Sequence, residues 1–262
     1  MKFKERLLLP EIKNDIDLSD LEITLLHKKI LQKKKFLKSL YKDFYDEFNK
    51  NIMEINKTKR KIVEIGSGGG FLKEVIHDVV TSDILELPGI DMKFSATEMP
   101  FDDYSIDAFL MFNVLHHINN SKKFFSEIQR CLSSNGKLIM IEPANTIWSR
   151  FIYTKFHNEP FDINSGWIFD SSGPLSSANG ALPWIIFFRD RIIFEEDFPL
   201  LKIKKIRPHT PFRYLISGGF TIKELLPFFM YKPIKFFEIL LSPLNKFIAM
   251  YQTIEVVKKC KY

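Results

Sequence analysis

The sequence predicts an α/β fold, in which a largely parallel sheet carries helices on both faces. Residues 61–65 form a short apolar run with β-branched side chains, and residues 66–70 form a turn with four glycines. Residues 71–76 continue with apolar side chains at helical spacing, and residues 79–83 predict a second strand that ends in an acid. A strand, a tight glycine turn and a helix make the first half of a βαβ unit, a common frame for a bound nucleotide.

The spacing of the glycines indicates which nucleotide the turn suits. Glycine is needed where the backbone adopts a positive φ, or where a ligand lies against the main chain. A dinucleotide fingerprint, G-x-G-x-x-G, would require glycine at position 71, where this chain has Phe71. The pattern Glu64-x-Gly66-x-Gly68-x-Gly70 instead resembles motif I of the class I S-adenosylmethionine-dependent methyltransferases.

Four further segments carry the same resemblance in the same order. Asp83 ends the second strand, and residues 94–102 are similar to the family segment G-D-A-x-x-L-P-F-x-D. Residues 106–118 match the fourth strand with its Leu-His-His turn, and residues 136–143 match the fifth strand. The chain is thereby similar to the methyltransferase type 11-like family. The resemblance implies a Rossmann-like, seven-stranded, mostly parallel sheet with an antiparallel last strand near residues 248–257.

The resemblance also implies a cofactor, S-adenosyl-L-methionine, and the residues that hold it. Asp83 would accept hydrogen bonds from both ribose hydroxyls, and Asn113 would lie near the methionine end. Ser95 stands where most relatives place an Asp for the adenine amino group, and residues 84–89 leave no room for the usual helix. The implied cofactor-binding residues are Glu64, Gly66, Ser67, Gly68, Gly70, Asp83, Ala96 and Asn113.

Composition indicates an ordinary globular protein of the cytoplasm. The 262 residues are 45% hydrophobic and 27% charged, and two cysteines are too few for a disulfide framework. No apolar run reaches the ~18 residues that a membrane-spanning helix requires. The net charge of +6 is explained by lysines on solvated helix faces. Motifs such as Asn-Pro-Pro-Tyr are absent after the fourth strand, so no nucleic-acid partner is expected.

The chain divides into three predicted parts. Residues 1–57 form an N-terminal helical arm, in which Ser19 and Glu22 make a capping box. Residues 58–145 form the cofactor-binding core, and residues 146–262 form a C-terminal substrate cap together with the last strands.

Local signals predict further features of the second and third parts. Ser121 is expected to cap the helix before the fifth strand, and Asn135-Gly136 to end it. Residues 221–247 combine phenylalanines, leucines and lysines, which predicts either a lid or core helix or a peripheral contact with the inner face of a membrane. Pro227 and Pro243 favour the first alternative because they interrupt a long amphipathic helix.

Histidines and carboxylates in loops are the candidate catalytic groups. His157 and Glu159 lie in an aromatic-rich loop of the predicted cap, and pairing with a carboxylate orients a histidine as a general base. His116 and His117 follow the fourth strand, where at least one is expected to serve the structure. The candidates are therefore His157, His117 and Glu159. The spacing of His157, Glu159 and Asp162 matches no zinc template, so no metal is expected.

These signals predict a methyltransferase that O-methylates a small or lipid-linked acceptor, preferably a sugar or glycan intermediate. A hydroxyl acceptor needs a general base near neutral pKa, which histidine supplies. One alternative is C-methylation of a polyprenylated quinone precursor, which predicts a deep apolar tunnel and tolerance to loss of His157. Another is an inactive, cofactor-binding partner subunit, which Ser95 supports. The oligomeric state is not assigned.

Overall fold

Seven strands form a single mixed sheet in the computed structural model of the chain, which describes residues 7–12, 18–55, 59–157, 159–170, 173 and 178–260. The strands are β1 (Ile62–Ile65), β2 (Val79–Asp83), β3 (Met92–Lys93), β4 (Ile106–Phe112), β5 (Leu132–Pro143), β6 (Leu201–His209) and β7 (Tyr251–Lys258). Their order across the sheet is β3-β2-β1-β4-β5-β7-β6.

Strand direction confirms the predicted fold class. β1 pairs in parallel with β2 and β4, and β4 pairs in parallel with β5. β7 runs antiparallel to both β5 and β6, as expected of the last strand. Because the parallel strands end at one edge of the sheet, the residues that follow them meet there.

Helices cover both faces of the sheet, and none of those described is long and apolar enough to cross a membrane. Short 3-10 turns occur at Pro10–Ile12, Leu72–Glu74, Leu115–His117, Phe228–Met230 and Ser242–Leu244. The α-helices are α1 (Asp20–Lys33), α2 (Lys35–Met53), α3 (Ser121–Cys131), α4 (Ile147–Phe156), α5 (Leu182–Trp184, continued by a π-helix, Ile185–Arg189), α6 (Arg191–Asp197), α7 (Arg213–Ser217), α8 (Tyr231–Leu240) and α9 (Asn245–Ile248).

Successive side chains of the central strands point to opposite faces of the sheet, so the hydrophobic core has two layers. In β4, Phe109 and Met111 belong to the layer that contains α3, whereas Ala108 and Leu110 belong to the layer that contains α2. α2 buries eight side chains, Phe48 among them, in this second layer. Part of the N-terminal arm is therefore hydrophobic core. The boundaries of the three predicted parts remain a prediction.

The prediction of a helix over residues 71–76 is wrong. Only a 3-10 turn, Leu72–Glu74, forms there, because β2 begins at Val79 and leaves too few residues for a helix and a return. α2 lies here instead, and the rings of Tyr45 and Phe71 meet edge to face, 5.0 Å apart. As expected, the described residues 84–91 between β2 and β3 form no helix.

The predictions for both ends of α3 are also wrong. Asn120, not Ser121, caps α3, and its side chain accepts the N–H of Lys123 at 3.0 Å. α3 ends at Cys131 because Leu132 adopts an extended backbone conformation. Asn135-Gly136 therefore lies within β5. The capping box of Ser19 and Glu22 is present at the start of α1.

Candidate active site

A cavity of about 1590 Å³ opens at the carboxyl edge of the sheet, between the strand ends, α1, α4 and the turn at Gly218-Gly219. Pockets for single small molecules measure roughly 300–1,000 Å³, so this cavity has room for two ligands. All of the residues predicted for cofactor binding or catalysis line it: Glu64, Gly66, Ser67, Gly68, Gly70, Asp83, Ala96, Asn113, His117, His157 and Glu159.

The glycine turn brings open main chain to the cavity. Gly66 and Gly68 have φ angles of 72° and 50°, in the left-handed region that favours glycine. A Cβ on Gly66 would collide with Val114, whereas a Cβ on Gly68 would meet no protein atom closer than 4.0 Å. Gly68 therefore leaves space for a ligand against the backbone.

Glu64 and Ser67 hold this turn against β2. The Ser67 hydroxyl donates to Oε2 of Glu64 at 2.7 Å, and the N–H of Ser67 donates to the carbonyl of Ser82 at 2.9 Å. Burial raises the pKa of Glu64 to about 7, against the hydrogen bond from Ser67. The contacts of Glu64 shape the turn, and its role toward the cofactor remains a prediction.

Asp83 offers both carboxylate oxygens at the end of β2. Oδ2 accepts the N–H of Gly68 and Oδ1 accepts the N–H of Leu85, each at 2.9 Å. The pKa of Asp83 is raised above its usual value, because the effect of burial exceeds the opposing effect of the backbone N–H donors. Because each oxygen has a second lone pair, this carboxylate can also accept the two hydroxyls of a diol.

Two hydroxyls lie in the segment after β3, where the resemblance led us to expect the adenine. The Oγ of Ser95 and the Oγ1 of Thr97 lie 2.9 Å apart, and the N–H of Thr97 donates to Ser95 at 3.3 Å. Both side chains border the cavity together with Ala96. These hydroxyls can donate or accept, but neither has the charge of an aspartate.

Asn113 lines the cavity and has an unusual backbone conformation. Its backbone has a φ of 54°, which is uncommon outside glycine, and its Nδ2 donates to the hydroxyl of Tyr251 at 3.3 Å. Its Oδ1 is buried and accepts no hydrogen bond from the described residues. Because Oδ1 is enclosed, the role of Asn113 toward a ligand remains a prediction.

Three histidines surround the carboxylate of Glu159. Nε2 of His116 lies 3.5 Å from Oε2, Nδ1 of His157 lies 3.9 Å from Oε2, and Nε2 of His117 lies 4.0 Å from Oε1. Burial raises the pKa of Glu159, but the neighbouring histidines outweigh it and lower the pKa to about 2. Glu159 is therefore an anion near neutral pH and a weak proton acceptor.

His116 is held from its other side by Glu142, the last acid of β5. Nδ1 of His116 lies 2.6 Å from Oε2 of Glu142, whose Oε1 accepts the N–H groups of Val114 and Leu115. Burial lowers the pKa of His116, but the charges of Glu142 and Glu159 raise it to about 10. His116 is thus charged near neutral pH, which fits the structural role expected of one of the adjacent histidines.

His157 differs from His116 because it is neutral near neutral pH. Burial lowers the pKa of His157, the charge of Glu159 raises it, and the charge of His116 lowers it further. The N–H of Glu159 donates to Nδ1 of His157 at 3.3 Å. The ring of Tyr153 meets the imidazole edge to face, 5.7 Å away. A neutral imidazole beside a fixed carboxylate is able to take up a proton.

The donor atoms of His116, His117 and Glu159 lie within 4.8 Å of one another, the one group of this kind in the described part of the chain. The trio considered from the sequence does not form, since Asp162 instead accepts the N–H of Asn164. A cation would have to displace the proton that His116 holds between two carboxylates. The absence of a bound metal remains a prediction.

Contacts distant in sequence close the cavity over the glycine turn. The ammonium of Lys34, between α1 and α2, donates to the carbonyls of Gly219 and Ile222, each at 2.6 Å. The N–H of Leu9 donates to the carbonyl of Thr221. The sequence did not predict these contacts. It also did not predict that Glu142 would hold His116, since the only signal was an acid near the end of a strand.

Comparison with known proteins finds a family model that matches the part of the chain around this site. Residues 63–140 match the sequence model of a family described as methyltransferase domain. The matched region runs from β1 into β5 and includes the glycine turn, Asp83, Asn113 and His117. No curated protein matches the chain.

Two solved methyltransferase structures are similar to this chain. A geranyl diphosphate C-methyltransferase from Streptomyces coelicolor A3(2), in complex with Mg²⁺, geranyl diphosphate and S-adenosyl-L-homocysteine, is 15% identical, with a TM-score of 0.54 over 96% of this chain and 89% of that one. A SAM-dependent methyltransferase from Archaeoglobus fulgidus is 14% identical, with a TM-score of 0.49 over 83% and 94% of the two chains. At 15% identity the likeness to the first of these structures shows the fold alone.

Proposed function

The chain carries an S-adenosylmethionine-dependent methyltransferase domain of the class I fold, and we propose that it methylates a hydroxyl of a sugar or glycan intermediate, free or lipid-linked. The observation that carries this proposal is a neutral His157 in the same cavity as Asp83 and the glycine turn. An alcohol needs a base to remove its proton, whereas an activated ring carbon needs less help.

The chain's own residues fit the cofactor. Bound S-adenosylmethionine supplies an electrophilic methyl group on a sulfonium. Asp83 would accept the ribose hydroxyls, Ser95 and Thr97 would border the adenine, and Asn113 would lie near the methionine end. Ser67 would keep the glycine turn in shape through Glu64.

His157 would take the proton that the acceptor hydroxyl loses as its oxygen is methylated. In the structure Nδ1 accepts the N–H of Glu159 at 3.3 Å, so the neutral ring carries its proton on Nε2. To act as the base, His157 would have to adopt the other tautomer, with the proton on Nδ1, 3.9 Å from Oε2 of Glu159, and Nε2 free to accept. His117 is the second candidate for this role, and Glu159 would stabilise either imidazolium.

C-methylation of a polyprenylated ring is the second candidate function. It is favoured by the aromatic walls of the cavity, since apolar walls suit an isoprenoid chain. This reaction would not require His157. The aromatic residues that line the cavity include Tyr41, Phe112, Phe161, Tyr214 and Phe220.

Methyl transfer from radiolabelled S-adenosylmethionine tests the proposal. The acceptors are glycan intermediates, lipid-linked glycans and polyprenylated phenols, and the enzymes are wild type, His157→Ala, His117→Ala and the exposed control His77→Ala. Loss of the base is expected to lower O-methylation by roughly 100-fold or more without changing cofactor affinity. Ring methylation that survives His157→Ala would support the second candidate. Cofactor binding without turnover on any acceptor would favour the inactive partner subunit.

A further inference from the structure

A large apolar surface lies at the C-terminal helices. The helical turns and helices between Phe228 and Ile248 expose eight large apolar side chains, each at least 45% accessible: Phe228, Phe229, Phe236, Phe237, Ile239, Leu240, Leu244 and Phe247. Scattered single apolar residues are normal on a protein surface, but a contiguous group marks a place where a partner or a membrane binds.

Helix α4 extends this surface to the cavity. α4 packs against α9 and exposes Ile147, Phe151 and Phe156. The rings of Phe151 and Phe156 meet at 5.8 Å, and Phe156 lines the cavity. These three side chains and the eight between Phe228 and Ile248 form what we call the docking face. It provides an apolar path from the protein surface to the cavity.

The exposed charges on the two segments that form the docking face are positive. Residues 225–248 contain one acid, Glu238, which is buried and accepts the guanidinium of Arg213 at 2.5 Å. Lys232 and Lys246 are exposed on the same segment. α4 carries no acid, and its charged residues are exposed and basic: Arg150 and Lys155.

We propose that the docking face binds the surface of an anionic phospholipid membrane. Aromatic side chains flanked by lysine and arginine combine apolar insertion with attraction to anionic headgroups. A second copy of the chain is a poorer occupant, because a symmetric contact would bring these positive charges together. The inference rests on the proposed function in its lipid-linked form. A lipid-linked acceptor would enter the cavity from the bilayer past Phe156.

Co-sedimentation of the full chain with vesicles tests this inference. The vesicles contain phosphatidylcholine alone or phosphatidylcholine with phosphatidylglycerol. The variants are the double substitution Phe236→Ser/Phe237→Ser and the charge reversal Lys232→Glu/Lys246→Glu. The control is Ile192→Ser/Ile193→Ser, because these side chains are also exposed but precede Glu195, Glu196 and Asp197. S-adenosylmethionine affinity reports whether each variant is folded.

Wild type is expected to bind the anionic vesicles, with a loss of roughly tenfold or more in the serine variant. Charge reversal should weaken binding to anionic vesicles, and the control should bind as wild type does. No preference for anionic vesicles, or equal loss in the control, overturns the inference. So does a wild-type dimer that the serine variant converts to a monomer. If the protein methylates a soluble glycan but does not bind vesicles, the inference is overturned and the proposed function is still supported.

Discussion

Nδ1 of His116 lies 2.6 Å from Oε2 of Glu142, and both side chains are buried. Glu142 is the second-last residue of β5, whereas His116 lies in the 3-10 turn that follows β4, so the contact joins the ends of two parallel strands. The other nitrogen of His116 lies 3.5 Å from Glu159 in the loop after α4. One imidazolium therefore connects the sheet edge to the loop that carries His157.

His116→Gln is expected to destabilise the protein by roughly 3–5 kcal/mol, because it leaves a buried carboxylate without its cation. The folded-state pKa of His116 is raised from 6.5 to about 10. Its contribution is thus fully present below pH 6.5 and is lost as the pH rises toward 10. Urea unfolding of the variant and of the exposed control His77→Gln, over this pH range, checks the expectation. An equal effect of the two substitutions would contradict it.

The sequence predicted the sheet and the cavity-lining residues well because both depend on local signals. Apolar runs define the strands, and the carboxyl ends of parallel strands bring Gly68, Asp83 and Asn113 to one edge. Helix content was predicted less well. The segment after Gly70 has helical spacing, but the short distance to β2 prevents a helix.

The contacts that complete the site carry no local signal. Lys34 lies in a run of three lysines, yet it is the only one of the three that is buried. Its ammonium donates to the carbonyls of Gly219 and Ile222, which lie 185 and 188 positions later in the sequence. Glu142 resembles any acid at the end of a strand until the turn after β4 packs on it. Such pairings depend on tertiary packing, which local pattern does not encode.

The pH dependence of catalysis should identify the base. If His157 takes the proton, the acidic limb of kcat/KM lies below pH 6.5, because burial lowers the pKa of His157. Glu159→Gln removes a charge that raises this pKa, so the limb should move to still lower pH. A wild-type limb above pH 6.5, or one unchanged in Glu159→Gln, would argue against His157.

Gly68→Ala should abolish cofactor binding with little effect on folding. Its Cβ would fill the open space of the cavity and meet no protein atom closer than 4.0 Å. Gly89→Ala is the matched control, since Gly89 also has a positive φ, 88°, and open space around it, but lies away from the cavity. Both substitutions should cost about 1 kcal/mol of backbone strain. Calorimetric titration with S-adenosylmethionine should separate them, with Asp83→Ala, expected to lose roughly tenfold in affinity, as a reference.

Lys34→Met should open the cavity at the contact between the arm and the turn at Gly218-Gly219. The substitution removes the donor from two carbonyls that each lie 2.6 Å from the ammonium, and unsatisfied buried acceptors cost roughly 1–3 kcal/mol each. Because α1 and this turn line the cavity, the loss should appear as weaker cofactor binding and as faster proteolysis near residue 219. The adjacent Lys35 is exposed, so Lys35→Met controls for loss of one positive charge. Equal proteolysis of the two variants would show that the Lys34 contact does not close the cavity.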